Sequence, residues 1–166
     1  MSEFGVPPLA AINQALALLP AVMDSPAARV MLHAIGYQES GFVHRRQVRG
    51  PARGYWQFEQ GGGVAGVLRH RASSALAAAV CAARCVPTTA SGVYLALDQD
   101  DVLAAAFARL LLWTDPAPLP AIGDIDAAWA LYAAPRRTWS PGQPHPKRWP
   151  ACYRQALADV GAPAHA

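Results

Sequence analysis

Glutamate is scarce in this chain; Glu3, Glu39 and Glu59 are the only three. Glu39 stands in Tyr37-Gln38-Glu39-Ser40-Gly41-Phe42, where an apolar-faced helix is expected to end. A carboxyl at a helix C-terminus feels the negative end of the macrodipole, and desolvation in an apolar cleft raises its pKa further. A carboxyl tuned this way suits a general acid. Beyond a short basic loop come Gly54-Tyr55-Trp56-Gln57, and then Glu59. A glycine lets the backbone approach a ligand closely. A glutamine offers both donor and acceptor, which fits an N-acetyl group or a hydroxyl. Tyr55 and Trp56 could stack on a flat ligand or sit in the core, and the core is the expected place for Trp56. The Ser40 hydroxyl either supports the site or simply ends the helix. Glu59 is either a solvated charge or a second carboxylate near the first.

The elements that must position these residues read as helices. Pro7 or Pro8 opens a first helix to about residue 19. Ser25-Pro26 supplies an N-cap and a first-turn proline. Ala28, Met31, Leu32, Ile35 and Glu39 then fall on one helical face, and Gly41 ends that helix. Residues 43–58 read as a loop or small β-hairpin. Gly61-Gly62-Gly63 reads as a flexible joint before one long Ala-rich helix over 64–86. Shorter helices follow at 87–97, from the acids Asp98, Asp100 and Asp101 to Trp113, at 124–134 and at 150–160. The expected fold class is all-α, a single domain over 1–166.

Composition narrows the function. The 166 residues are 53% hydrophobic and 15% charged, enough for one real core. No apolar run reaches the ~18 residues of a membrane span. The N-terminal stretch lacks the pattern of a secretory signal. A net charge of +3 is too mild to argue nucleic-acid binding alone. His44, Arg45, Arg46, Arg49 and Arg53 could attract carboxylates or a polyanion, or be a solvated face. Cys81, Cys85 and Cys152 read as small core residues of a reduced chain. With His145 they lack the tight pairing of a zinc site, so neither metal nor cofactor is expected. His33 and His70 are expected at the surface.

Glu39-Ser40-x-Phe42 followed by Gly54-x-x-Gln57 resembles the signature of lysozyme-like lytic transglycosylases and goose-type lysozymes. The two motifs span residues 35–59, and Trp56 stands where that family usually has Met. The resemblance implies a lysozyme-like domain with Glu39 as its catalytic acid and base. It implies sugar contacts from Ser40, Gly54, Tyr55 and Gln57. A third family motif, Tyr-Asn-Ala-Gly, has its nearest match in Tyr132-Ala133-Ala134-Pro135, without the Asn and Gly. By resemblance Tyr132 would face Glu39; by pattern alone it is a packing residue.

In that family one Glu protonates the β-1,4 bond between N-acetylmuramic acid and N-acetylglucosamine, then assists closure of a 1,6-anhydro ring. The resemblance therefore implies a peptidoglycan lytic transglycosylase acting on glycan strands. Its implied setting is a phage virion, or the host cytoplasm before release to the wall in the periplasm, with virion or tail proteins as partners. A hydrolytic muramidase, or endolysin, using Glu39 and Glu59 is the first alternative. An inactive virion structural protein of the same fold is the second. A nucleic-acid binder using the basic loop is the third.

Overall fold

The computed structural model describes residues 3–141 and 143–162. It is a mainly α single domain, with eight α-helices among the described residues. They are α1 (Leu9–Ala17), α2 (Pro26–Glu39), α3 (Ala65–Arg69), α4 (Ser74–Ala83), α5 (Ala90–Ala96), α6 (Asp101–Trp113), α7 (Ile125–Ala133) and α8 (Trp149–Val160).

The core is organised by α6 and α2. In α6 every residue from Val102 to Leu112 is buried, and Arg109 apart this run is apolar all round, so other helices pack about it. Helices α1, α2, α3 and α4 all contact α6, and α2 lies along α8. Each fully buried Leu or Phe on these faces stabilises the fold by about 1.5–3 kcal/mol. Side-chain caps fix where the helices start. Ser25 accepts from the Ala28 amide at 3.1 Å, and Asp100 and Asp124 accept from the Leu103 and Ala127 amides at 3.0 Å.

The end of α2 is set by sterics. Gly41 and Phe42 both adopt positive φ, 64° and 55°, and the Gly41 amide bonds back to the Gly36 and Tyr37 carbonyls. The chain thus reverses and lays the Phe42 ring on α2. A Cβ at Gly36 would lie 2.1 Å from that ring, so glycine is required there. Phe42 meets Tyr37, Tyr55 and Trp56 edge-on at 4.8, 5.5 and 5.7 Å, an arrangement aromatic quadrupoles favour.

Several expectations are corrected. Of the two alternatives for 43–58 the loop holds and the hairpin does not: the segment forms only two isolated bridges, Arg46 with Arg53 and Arg53 with Phe58, and no strand among the described residues. The long helix over 64–86 is two helices, α3 and α4. His70 leaves α3 in an extended conformation and accepts the Ala72 amide on its ring, while Ser73 donates its hydroxyl to the Val67 carbonyl at 2.7 Å. These local bonds offer the backbone an alternative to continuing the helix. Gly61-Gly62-Gly63 is no free joint but part of a wide turn over Gln60–Val64, with Gly63 against the Phe58 ring.

Cys81 and Cys152 are buried, but Cys85 is exposed. It lies beyond the end of α4 with φ of 55°, so it no longer shares the face of Cys81. His33 is 2% exposed rather than at the surface, because α8 brings Asp159 within 3.2 Å of its ring nitrogen. Burial lowers the His33 pKa, and Asp159 opposes that shift. Among the described residues, no helix is long and apolar enough to cross a membrane.

Candidate active site

Glu39 is the last residue of α2 and opens onto a cleft of about 580 Å³. Other lining residues come from the end of α2 (Gln38), the loop after it (Gln47, Gln57, Glu59), α7 (Tyr132) and the stretch before α8 (Trp139, His145). Three aromatic rings crowd the acid's side of this cleft. Trp139 packs edge-on against Phe58 at 5.5 Å, and Tyr132 lies 6.5 Å from Trp139.

Two neutral donors hold the carboxyl. The Tyr132 hydroxyl donates to Glu39 Oε1 at 2.8 Å, and the Trp139 indole donates to the same oxygen at 3.2 Å. Oε2 has no hydrogen-bond partner among the described residues. Oε1, as acceptor of two bonds, is disfavoured as the proton carrier, so the proton of the acid form belongs on Oε2. Burial pushes the Glu39 pKa up to about 7, while the Tyr132 and Trp139 bonds pull it back down. No lysine or arginine lines the cleft among the described residues, so no cation counters the burial. At neutral pH such a carboxyl is about half protonated, and it can both give and take a proton.

Tyr132 is itself held tightly. Its ring stacks on Trp149 of α8 at 5.3 Å with a 2° interplanar angle, and the Trp149 indole bonds the Ile125 carbonyl of α7. The Asn and Gly missing from the third motif are therefore not needed to bring this hydroxyl to Glu39. Burial and the neighbouring Glu39 both raise the Tyr132 pKa, so it stays a proton-bearing donor. Gln57 lines the cleft with φ of 52°, and its Nε2 donates to the Gly54 carbonyl at 2.8 Å, which leaves its side-chain oxygen as a free acceptor. Glu59 lines the same cleft and is exposed.

Three expected contact residues lie off the cleft. Ser40 spends its hydroxyl on the helix end, donating to the Gly36 carbonyl and accepting the Phe42 amide. Gly54, at φ of 74°, packs against Leu97 and Ala104 rather than facing a ligand; a Cβ there would meet the Leu97 carbonyl at 3.0 Å. Tyr55 is buried in the core beneath the Arg45 guanidinium, 4.4 Å from its ring. Trp56 is fully buried, as expected, and its indole bonds the Leu32 carbonyl of α2 at 2.8 Å.

The basic loop is also turned away. Arg45 forms two bonds to Asp101 at 2.9 and 2.8 Å. Arg46 pairs with Asp98, and Arg53 lies 3.8 Å from the same carboxylate. Only the uncharged Gln47, Pro51 and Ala52 of this loop reach the cleft. Two of the three acids expected to favour the start of α6, Asp98 and Asp101, are thus engaged by the loop's arginines, while Asp100 pairs with Arg84. Among the described residues, no three His, Cys, Asp or Glu side chains converge as metal ligands.

Trp139 is the functional candidate that the sequence did not offer. It lies in Thr138-Trp139-Ser140-Pro141, a turn-like stretch without a helical pattern, 100 residues from Glu39. No family model, curated protein or solved structure matches this chain.

Proposed function

We propose that this protein is a peptidoglycan lytic transglycosylase with Glu39 as its acid and base. One observation carries the reading: a partly buried glutamate, raised to about 7, is held by two neutral donors on one oxygen at the wall of a cleft large enough for sugar rings. The resemblance of Glu39-Ser40-x-Phe42 and Gly54-x-x-Gln57 to the lysozyme-like family names the bond.

In this mechanism Oε2 of Glu39 gives its proton to the glycosidic oxygen as the C1–O bond of the muramic residue breaks. Positive charge develops on that sugar, and the Glu39 carboxylate left behind is stabilised by Tyr132 and Trp139. Glu39 then takes the proton of the muramic 6-hydroxyl as O6 bonds to C1. The anhydro ring closes and the acid is restored. Gln57 offers its free oxygen to an N-acetyl N–H or a hydroxyl of the glycan.

A second reading has its own support. Glu59 lines the same cleft, so it could hold a water molecule for hydrolysis. Digestion of purified sacculi with mass spectrometry of the products separates the two. Anhydromuramic ends are expected. Reducing ends alone, lost in Glu59→Ala, would move the protein to the muramidases. No release from sacculi by a folded wild-type protein would favour a structural virion role. The phage setting and virion partners belong to the same proposal.

A further inference from the structure

Asp115 is buried directly after α6, with its side chain 2% exposed. It accepts two bonds from Arg137, at 2.8 and 3.0 Å, one from the Thr138 hydroxyl at 3.2 Å and one from the Ala117 amide at 3.0 Å. The next residue in the chain is Trp139, whose indole reaches Glu39. One residue further, the Ser140 amide donates to the Tyr132 carbonyl at 3.1 Å. Arg136 and Ser140 both take positive φ, 66° and 42°, without being glycine. The stretch is bent into an unfavourable backbone path and must be held there by its contacts. The largest set of those contacts converges on one carboxylate.

We infer that Asp115 is a positioning residue: by clamping Arg137 and Thr138 it holds the Trp139 indole on Oε1 of Glu39. As a statement about turnover this rests on Glu39 being the working acid. As a statement about geometry it does not. Without the clamp, the segment loses its anchor on the α6 side and keeps the Ser140 bond, the Arg137 amide bond to the Ala134 carbonyl, and the ring contacts of Trp139 with Phe58 and Tyr132. The indole then leaves Oε1, and with it one of the two groups that steer the proton to Oε2.

The test reads the indole directly. In ¹⁵N-labelled protein the Trp139 side-chain N–H signal is identified by its loss in Trp139→Phe. In the wild type it is expected to shift with pH, with a midpoint at about 7. The shift should vanish in Glu39→Gln, which separates Glu39 from the cleft's other titratable side chains, Glu59, Tyr132 and His145. In Asp115→Ala most of that response should be lost, while the Trp56 indole signal, bonded to Leu32 in the core, stays in place. Should Asp115→Ala fail to fold, Arg137→Gln asks the same question from the other side of the clamp. A Trp139 signal that titrates unchanged in the clamp variants overturns the inference, and so does one that ignores Glu39 in the wild type. Turnover is a separate readout. Where the wild type cleaves sacculi, loss of the clamp is expected to lower kcat about tenfold with little change in KM. A wild type without cleavage removes the catalytic reading and leaves the indole result to stand by itself.

Discussion

Glu39 and Asp115 are the same functional group in two opposite settings. Each follows or ends a long buried helix, and burial pushes each carboxyl upward. Among the described residues Glu39 accepts bonds only from a phenol and an indole, and it ends at about 7. Asp115 meets the Ala117 amide, a bidentate arginine and a hydroxyl, and it ends below the usual carboxylate range. The Ala117 amide first and the Arg137 cation with it pull Asp115 down, and Glu39 has neither. A carboxyl denied both keeps a proton it can release at neutral pH. A carboxyl given both becomes a fixed anchor. The two carboxyls are joined by one short segment, which Asp115 holds at Arg137 and Thr138 and which reaches Glu39 through Trp139.

The sharpest way to break this contrast is Glu39→Gln. It keeps the shape and the acceptor oxygen for Tyr132 and Trp139 but removes the proton. Wall cleavage should fall by about 10²–10⁴. Activity within twofold of the wild type would sink the assignment. Stability should move the other way. A carboxyl whose folded pKa is raised contributes stability that is complete below its unfolded pKa and lost as pH rises through about 7. The variant escapes that loss. It should therefore unfold with more difficulty than the wild type at pH 8, by about 2 kcal/mol after allowing for the partly open site, and show little gain at pH 4. Urea titrations at the two pH values measure this.

Asp115→Asn should show the reverse sign. Its carboxylate is depressed, so its contribution is present above the unfolded pKa and disappears as pH falls through the folded value. The variant should be less stable at pH 7 by about 2 kcal/mol, since one partner of a half-buried ion pair is removed. The difference should shrink toward pH 2. Equal destabilisation at pH 7 and pH 2 would mean that shape, and not charge, makes Asp115 an anchor.

The smallest effect is expected from the basic loop. Arg45, Arg46 and Arg49 do not line the cleft, and two of them are occupied by Asp101 and Asp98. Their joint replacement by Ala should leave binding to sacculi unchanged within twofold at low salt, and should cost less than about 1 kcal/mol of stability. Sedimentation of the variant with sacculi checks the first statement. A clear loss of binding would bring the loop back into the site.

What was legible in the sequence was local. Ser25, Asp100 and Asp124 announce their helices, because a cap depends on residues three positions apart. Glu39 at the end of α2 could be read the same way, since Gly41 follows it. The break between α3 and α4 could not, because Ala favours helix throughout and only the Ser73 bond to Val67 reveals the turn. His33 looked solvated because its partner, Asp159, lies 126 residues away. Gly54 and Tyr55 read as sugar contacts from their place in a motif, yet both pack into the core, and of the contacts implied by that motif only Gln57 lines the cleft. Trp139 is the extreme case. Its place is decided by Asp115 meeting Arg137 across 22 residues and by Phe58 from another loop, and no short pattern encodes either.

The 93 and 100 residues that separate Glu39 from Tyr132 and Trp139 have a consequence for the protein's birth. A ribosome releases a chain from its N-terminus at about 5–20 residues per second. Helix α2 therefore leaves the exit tunnel several seconds before the tyrosine and tryptophan that complete its surroundings. Through that interval Glu39 is an open, solvated side chain that stays ionised at neutral pH, with no wall of aromatic rings around it. Its special proton affinity comes into being only when the last third of the chain has folded back over it. A truncated or half-made product of this chain would carry Glu39-Ser40-x-Phe42 and Gly54-x-x-Gln57 in full and none of the surroundings that raise the Glu39 pKa.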